Sequence, residues 1–282
     1  MTRLEGTAIA PASNLDKTGR DRVALWLPAW SLFAREVLRF VRQRNRIIGS
    51  LGTPLLFWVL LGSGIGETMR PPGLAAGMNY MTYFFPGTLM LVVLFTAIFS
   101  SLSVIQDRNE GFLQGVLVAP VPRLAIVLGK VLGGTALGFG QGLLMLLLAP
   151  LAGIPLGPSA LLGAAAAVLL TALALSALGF LLAWRMDSVQ GFHAVMNLLL
   201  MPMWLMSGAL FPASGASQWM RWAMAANPLS YGVDALRGAL HPAAERASLG
   251  GADPVAALAV IAGFAIVMLA ASVWIASRPE KG

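Results

Sequence analysis

"VLGGTALGFGQGLLMLLLAPLAGIPLGPSALLGAAAAVLLTALALSALGFLLAW", residues 131–184, runs for 54 positions without a charged side chain. About 20 apolar residues carry a helix across the roughly 30 Å hydrocarbon core of a bilayer. The stretch is therefore too long for one crossing and suits two. Its "PLAGIPLGP" segment, 150–158, supplies the break, because proline and glycine punctuate helices. The whole chain has the same character. Of its 282 residues 57% are hydrophobic and 11% charged, where a soluble domain carries roughly 25% charged residues. There is no cysteine, so disulfides and thiolate metal sites are excluded.

Other charge-poor blocks extend the pattern. Residues 47–66 and 80–105 read as the first two spans, with Tyr80 and Tyr83 at one interface. The third and fourth fall at 124–149 and 159–184, the fifth at 188–211 and the sixth at 254–277. The expected fold is an all-α polytopic membrane protein with six transmembrane helices in one domain, 47–277. Six crossings put both termini on one side. Fifteen of the 19 Lys and Arg fall on that side with eight acids, leaving four basic and four acidic residues on the other. The positive-inside rule then places both termini in the cytoplasm of a multi-pass inner-membrane protein. The net +7 reports topology and gives no nucleic-acid footprint.

Residues 1–22 are polar and lack the apolar core of a signal peptide, and they read as a disordered cytoplasmic tail. In 23–46, Trp26, Trp30, Phe33, Val37 and Phe40 recur every three or four residues and form one apolar face. Arg35, Glu36, Arg39 and Arg42 lie elsewhere around the helix. Such a basic, aromatic helix suits the membrane interface, with its cations at the lipid headgroups. Lys130, just inside the third span, is expected to snorkel to the surface. His193, near an end of the fifth, is expected to make a helix–helix hydrogen bond.

"QDRNEGFLQGVLVAPVPR", 106–123, joins the second and third spans. Asp107 and Glu110 resemble a capping box and suit the positive end of a helix dipole. Phe112, Leu113, Val116 and Leu117 share one face, and Pro120 and Pro122 stop the element before Arg123. A short rigid helix with an apolar face results. Two readings stand at this point: it rests on the lipid surface, or it receives a partner.

No energy source is encoded in the chain. Gly129-Lys130 is followed by Val131 and has no glycine five residues before it, so the phosphate-cradling loop is absent. No Asp or Glu falls within an expected span to relay protons. The loops hold too few Asp, Glu and His to build an enzyme site. An energy-independent channel or secondary carrier remains as the alternative class.

"LVAPVPR" at 117–123, "GALFP" at 208–212 and "NPLSYGVDALRG" at 227–238 resemble the ABC-2 type permeases. These are the membrane subunits of ATP-binding-cassette exporters, including daunorubicin-resistance, nodulation-factor and capsular-polysaccharide branches. The resemblance runs from about residue 23 onward. It implies a permease that dimerises, pairs with two separate ABC ATPase subunits and binds no cofactor itself, ATP and Mg residing on the partner. It also makes Asp107 to Arg123 the coupling segment. Phe112 and Leu113 would anchor it, with Arg108, Glu110 and Arg123 at its rim.

Residues 212–246 are too short and polar for two full spans. Trp219 and Trp222 suit the headgroup level. Asn227 and Pro228 read as N-cap and first residue of a helix with Tyr231 in its first turn. Leu229, Val233, Leu236 and Leu240 form its stripe, and Asp234 and Arg237 are spaced to pair. The family has re-entrant helices here, and an outer gate and a structural lid are both open readings. The glycines of the third span, Gly129-x-x-x-Gly133 and Gly134-x-x-x-Gly138, read as helix packing. In the family the second and fifth spans line the dimer interface, which makes Thr88, Thr96, Ser100, Ser103, Asn197 and Ser207 candidates for the substrate path. Met196, Met201, Met203 and Met206 would be its deformable lining. A path so apolar suits an amphiphile, a lipid-linked molecule or a hydrophobic drug.

Overall fold

The computed structural model describes residues 17–65, 79–119, 121–243, 245 and 250–278. The expected tail therefore lies outside the described residues up to residue 16, and Pro120 lies outside them as well. The described part is helical, with no strand among it. Its helices are α1 (Lys17–Arg42), α2 (Arg44–Ile65), α3 (Tyr80–Ser100), α4 (Leu102–Asn109), α5 (Phe112–Val118) and α6 (Arg123–Leu146). There follow α7 (Pro158–Ala183), α8 (Val189–Leu205), α9 (Gln218–Ala226), α10 (Pro228–Leu240) and α11 (Pro254–Ser277).

Among the described residues, five segments are long and apolar enough to cross a membrane: Ile47–Gly64, Tyr80–Asn109, Arg123–Leu146, Pro158–Ala183 and Pro254–Ser277. The fifth expected span, 188–211, is shorter than the sequence suggests. Its helix, α8, is apolar but has 17 residues, about 25 Å at 1.5 Å per residue. The helix ends at Leu205, and Gly208 (φ +79°) turns the chain inward. The Gly208 carbonyl is then held there by the Tyr83 hydroxyl at 2.6 Å and an Arg237 N–H at 2.8 Å. The chain folds into the bundle's end instead of completing the last turns of a helix.

The core is organised around α3, which is apolar on every side and buried accordingly: Tyr83, Phe84, Phe85, Leu89, Met90, Val93 and Leu94 are inaccessible. α3 packs on α2, α6, α7 and α10, and α11 packs on α7 and α10. Glycines on two faces of α6 permit the close approach. A Cβ at Gly138 would sit 3.3 Å from both Ala97 of α3 and Ala172 of α7. On the neighbouring face, a Cβ at Gly129 would sit 2.7 Å from Leu32 Cβ and 2.8 Å from the Ala29 carbonyl of α1, and one at Gly133 2.8 Å from Glu36 Cβ. The glycine pattern is packing, as expected, and α1 is one of its partners.

α1 differs from expectation in two respects. It begins at Lys17, so residues 17–22 belong to the helix and not to a disordered tail; lysine and arginine propagate a helix nearly as well as leucine. Its packed stripe is Ala29, Leu32, Glu36 and Phe40, while Trp26 and Trp30 are 66% and 63% exposed. The glycine surface of α6 accepts small and flexible side chains at close range and leaves the indoles outside. Trp30 stacks on Phe33 on that outer side, 5.2 Å between ring centres.

At the end of the bundle away from Lys130 the expected start and stripe of α10 form, and the expected Asp234–Arg237 pair does not. Asn227 caps α10, its side chain accepting from the Leu229 N–H at 3.0 Å, with Pro228 in the first turn. Leu229, Val233, Leu236 and Leu240 are buried as the stripe. Trp219 and Trp222 of α9 are exposed. Tyr231 donates to the Ala225 carbonyl at 2.8 Å, tying α10 back to α9. Asp234 and Arg237 do not pair with each other. Asp234 accepts from the Ala252 N–H at 2.8 Å, and Arg237 reaches Gly208 and lies 4.4 Å from the Tyr83 ring centre. Each finds a nearer partner across the fold than its neighbour one turn away.

Candidate coupling site

The segment after α3 builds a site at the basic end of the bundle. The helix continues past Ser101 into α4, and the chain reverses at Glu110 and Gly111 into α5. Gly111 takes a left-handed φ of +77°, which glycine adopts without a Cβ penalty. The Glu110 and Gly111 N–H groups bond to the Gln106 and Arg108 carbonyls, closing the end of α4. Asp107 is therefore inside α4, and the expected capping box does not form; the cap of α5 is Gly111. A glycine able to reverse the chain at 111 outweighs a carboxylate that could begin a helix at 107.

Asp107 is fully buried, and both its oxygens are used. Oδ2 accepts from Arg35 at 2.8 Å and from Lys130, and Oδ1 accepts from Arg39 at 3.4 Å. Lys130 is not at the surface, as its place near a span end suggested. It is buried, 2.5 Å from Glu36 Oε1 and 3.2 Å from the Ser103 hydroxyl. Arg39 also meets Glu110 at 3.5 Å. Three cations and three carboxylates thus join α1, α4 and α6 with no net charge. The balance is what permits burial, because an unpaired charge in such a place is costly.

The next residue, Arg108, faces the other way. It donates to the Trp184 carbonyl at 2.8 Å, the Met186 carbonyl at 3.2 Å and Asp187 at 3.1 Å. Those carbonyls follow the end of α7, where the last turn of a helix leaves acceptors unsatisfied. Two successive residues of α4 therefore fasten it to α1 and α6 on one side and to the α7–α8 connection on the other.

α5 hangs from this anchored helix. Leu113 is 2% exposed and joins the core, and Val116 and Leu117 are half-buried. Phe112 is exposed at its edge, with the Arg35 guanidinium 3.7 Å from its ring centre. Val118, Pro122 and Glu110 are exposed and Arg123 is half-buried. Of the expected coupling residues, Asp107, Arg108 and Leu113 look inward and hold the segment. Glu110, Phe112 and Pro122 remain at its surface. The sequence reading missed Glu36 and Lys130 as partners. The signal was Glu36 on the Ala29–Leu32–Phe40 stripe, opposite glycines.

The path candidates do not converge. Thr88, Ser100 and Ser207 are buried and donate to backbone carbonyls of Phe84, Ala97 and Trp204, within or at the end of their own helices. Asn197 and Met201 are exposed on α8, while Met196 and Met203 are buried and Met206 is half-buried. Thr96 bonds to Gln141 of α6 and lines a cavity of about 480 Å³ together with Phe40, Phe95, Phe99, Gln106 and His193. His193 packs its ring 5.1 Å from that of Phe99.

Comparison with known proteins matches residues 29–241 to the model of the ABC-2 type transporter family. Three relatives illustrate the likeness. The protein named ycf38 of Cyanophora paradoxa is 28% identical over 73% of this chain and 71% of its own. Inner membrane transport permease YadH of Escherichia coli K12 is 25% identical over 75% of this chain and 82% of its own. Nodulation protein J of Rhizobium leguminosarum bv. viciae is 24% identical over 82% of this chain and 85% of its own. With its multi-pass helical architecture and a family match across most of its length, the chain belongs to the ABC-2 type transporter membrane family.

Proposed function

We propose that this chain is the membrane subunit of an ABC exporter, moving an amphiphilic or hydrophobic substrate such as a drug, a lipid or a lipid-linked glycan out across the inner membrane. A separate ABC ATPase, in two copies, binds ATP and Mg and docks on α5 from the cytoplasm, where both termini lie. The single observation carrying this reading is the double fastening of α4 through Asp107 and Arg108, directly above an exposed Phe112 edge. A push on α5 is transmitted as rigid-body motion to α1, α6 and the α7–α8 connection, because a packed, charge-locked junction does not deform gradually. Glu110, Phe112 and Arg123 meet the ATPase, and Pro122 ends the loop at the start of α6.

Two copies of the chain pair through α8, the fifth of the six crossings, whose Val195, Leu198, Met201 and Leu205 are exposed apolar residues. α1 lies at the inner interface with Trp26 and Trp30 toward lipid. α9 and α10, with Trp219, Trp222, Asn227, Pro228 and Tyr231, form the outer gate. The mixed apolar and amide lining of the cavity at Thr96 supports the amphiphilic substrate class.

The test is Phe112→Asp in the assembled transporter. ATP-dependent export is expected to be lost while the protein still inserts and dimerises. Unchanged export by that variant overturns the coupling role, and transport by the purified chain in vesicles without any ATPase identifies a carrier or channel instead.

A further inference from the structure

At the end of the bundle opposite the charge network, the residues 207–208 turn, α9, α10 and residues 250–252 enclose a second cavity of about 170 Å³. Its polar lining is Ser207, Arg221, Ser230, Tyr231, Asp234 and Arg237. Arg237 is 5% exposed, and its Nε–H has no hydrogen-bond partner among the described residues. One of its terminal nitrogens is occupied by the Gly208 carbonyl. A buried guanidinium N–H with no acceptor is costly to leave unmade. Arg221, on the exposed side of α9, lines the same cavity and makes no ion pair within the described residues. Asp234, the cavity's acidic residue, forms no ion pair with either arginine and is held instead by the Ala252 N–H. Burial pushes its carboxyl above the ordinary range, against the opposing pull of Arg237 and the Ala252 N–H. The three hydroxyls already donate to backbone carbonyls of Trp204, Met206 and Ala225. The cavity is therefore lined by two guanidiniums, one of them carrying a buried N–H with no acceptor among the described residues.

The geometry points to an anion site for a phosphate group, held between Arg237 and Arg221 at the rim of the α9–α10 unit. A guanidinium presents planar, paired donors that match phosphate oxygens, so two of them converging on one space select that chemistry. The flanking Trp219 and Trp222 are exposed, as suits side chains at lipid-headgroup depth. The phosphate comes either from a lipid headgroup or from free phosphate. The site stands apart from the coupling segment, and failure of the ATPase reading leaves it intact.

The experiment uses the full chain purified in an uncharged detergent, titrated separately with inorganic phosphate, dihexanoyl phosphatidic acid and dihexanoylglycerol. Binding is read by tryptophan fluorescence and by the thermal unfolding midpoint. Saturable binding of one or both phosphate compounds is expected. Arg221→Gln should weaken it about three- to tenfold and Arg237→Gln by about tenfold or more, the range for losing an exposed and a buried charged contact. Tighter binding of phosphatidic acid identifies a headgroup site, and equal or tighter binding of inorganic phosphate a free-anion site; both support the proposal. Arg237 also holds Gly208, so if Arg237→Gln does not fold, the exposed Arg221→Gln carries the test. No saturation by either phosphate compound overturns the site. So does affinity unchanged in Arg221→Gln, or binding of dihexanoylglycerol as tight as that of phosphatidic acid.

Discussion

Lys130 of α6 lies between two carboxylates from different helices, Glu36 of α1 and Asp107 of α4, and all three are buried. The arrangement makes the position of α1 depend on the helix that carries α5. Replacing Lys130 by Met leaves Glu36 without its cation and takes one of three from Asp107. Removing one partner of a buried pair costs about 3–5 kcal/mol. Lys130→Met should therefore lower the unfolding midpoint in detergent sharply. Lys130→Met with Glu36→Gln should recover part of the loss, because no uncompensated charge remains at position 36. A double variant no better than Lys130→Met alone would contradict direct pairing.

Arg108→Lys tests the second fastening. Lysine keeps the charge but lacks the planar fork that reaches the Trp184 and Met186 carbonyls together. With Asp107 untouched, the chain should still fold and bind its ATPase. If α5 receives an ATPase as proposed, export per ATP hydrolysed should fall, since α4 would no longer move the α7–α8 connection with it. Full export by Arg108→Lys would show that this contact is not part of the transmission.

Gly129→Ala addresses the α1–α6 contact by volume alone. The added methyl would meet Leu32 Cβ and the Ala29 carbonyl at 2.7 and 2.8 Å, closer than side-chain carbons come to such atoms. α1 has to move away, at about 1–3 kcal/mol for overpacking. Gly140→Ala on the same helix, where no atom lies within 4 Å, should be neutral or slightly stabilising. Equal effects of the two on thermal unfolding would show that α1 is not seated on the glycine face.

What the sequence revealed and what it hid divide along one physical line. The Asn227–Pro228 start of α10 and its Leu229–Val233–Leu236–Leu240 stripe were legible because caps and helical stripes depend on residues a few positions apart. The glycines of α6 announced close packing for the same reason, although not which helix would fill them. The charge network was illegible. Lys130 meets Glu36 across 94 positions and Asp107 across 23, and no local pattern encodes either pairing. Asp107 itself was misread because a carboxylate three residues before Glu110 fits a helix start as well as a helix end. The end of α8 was hidden likewise. "LMSGALFP" is apolar enough to continue a span, and only contacts from Tyr83 and Arg237 show it folding inward. Residues facing the lipid and residues facing the protein are equally apolar here, so Trp26 and Trp30 could not be told from Leu32 by hydrophobicity.

Asp234 gives a pH signature outside the spans. Burial raises its carboxyl above the ordinary value, against the opposing pull of Arg237 and the Ala252 N–H. The folded chain therefore keeps this proton to a higher pH than the unfolded chain does. Between the ordinary value and the raised one the folded state binds more protons, and stability contributed by this group falls as pH rises through that interval. Below the interval both states are protonated and the contribution is complete; above it both are ionised and nothing further is lost. Asp234→Asn stays uncharged throughout and retains an oxygen for the Ala252 N–H. Its unfolding midpoint should lack this component of the decline, so that the gap between variant and parent moves in the variant's favour as pH increases across the window. A gap that stays constant with pH, or moves in the parent's favour, would mean that the carboxyl ionises at least as readily in the folded chain as in the unfolded one.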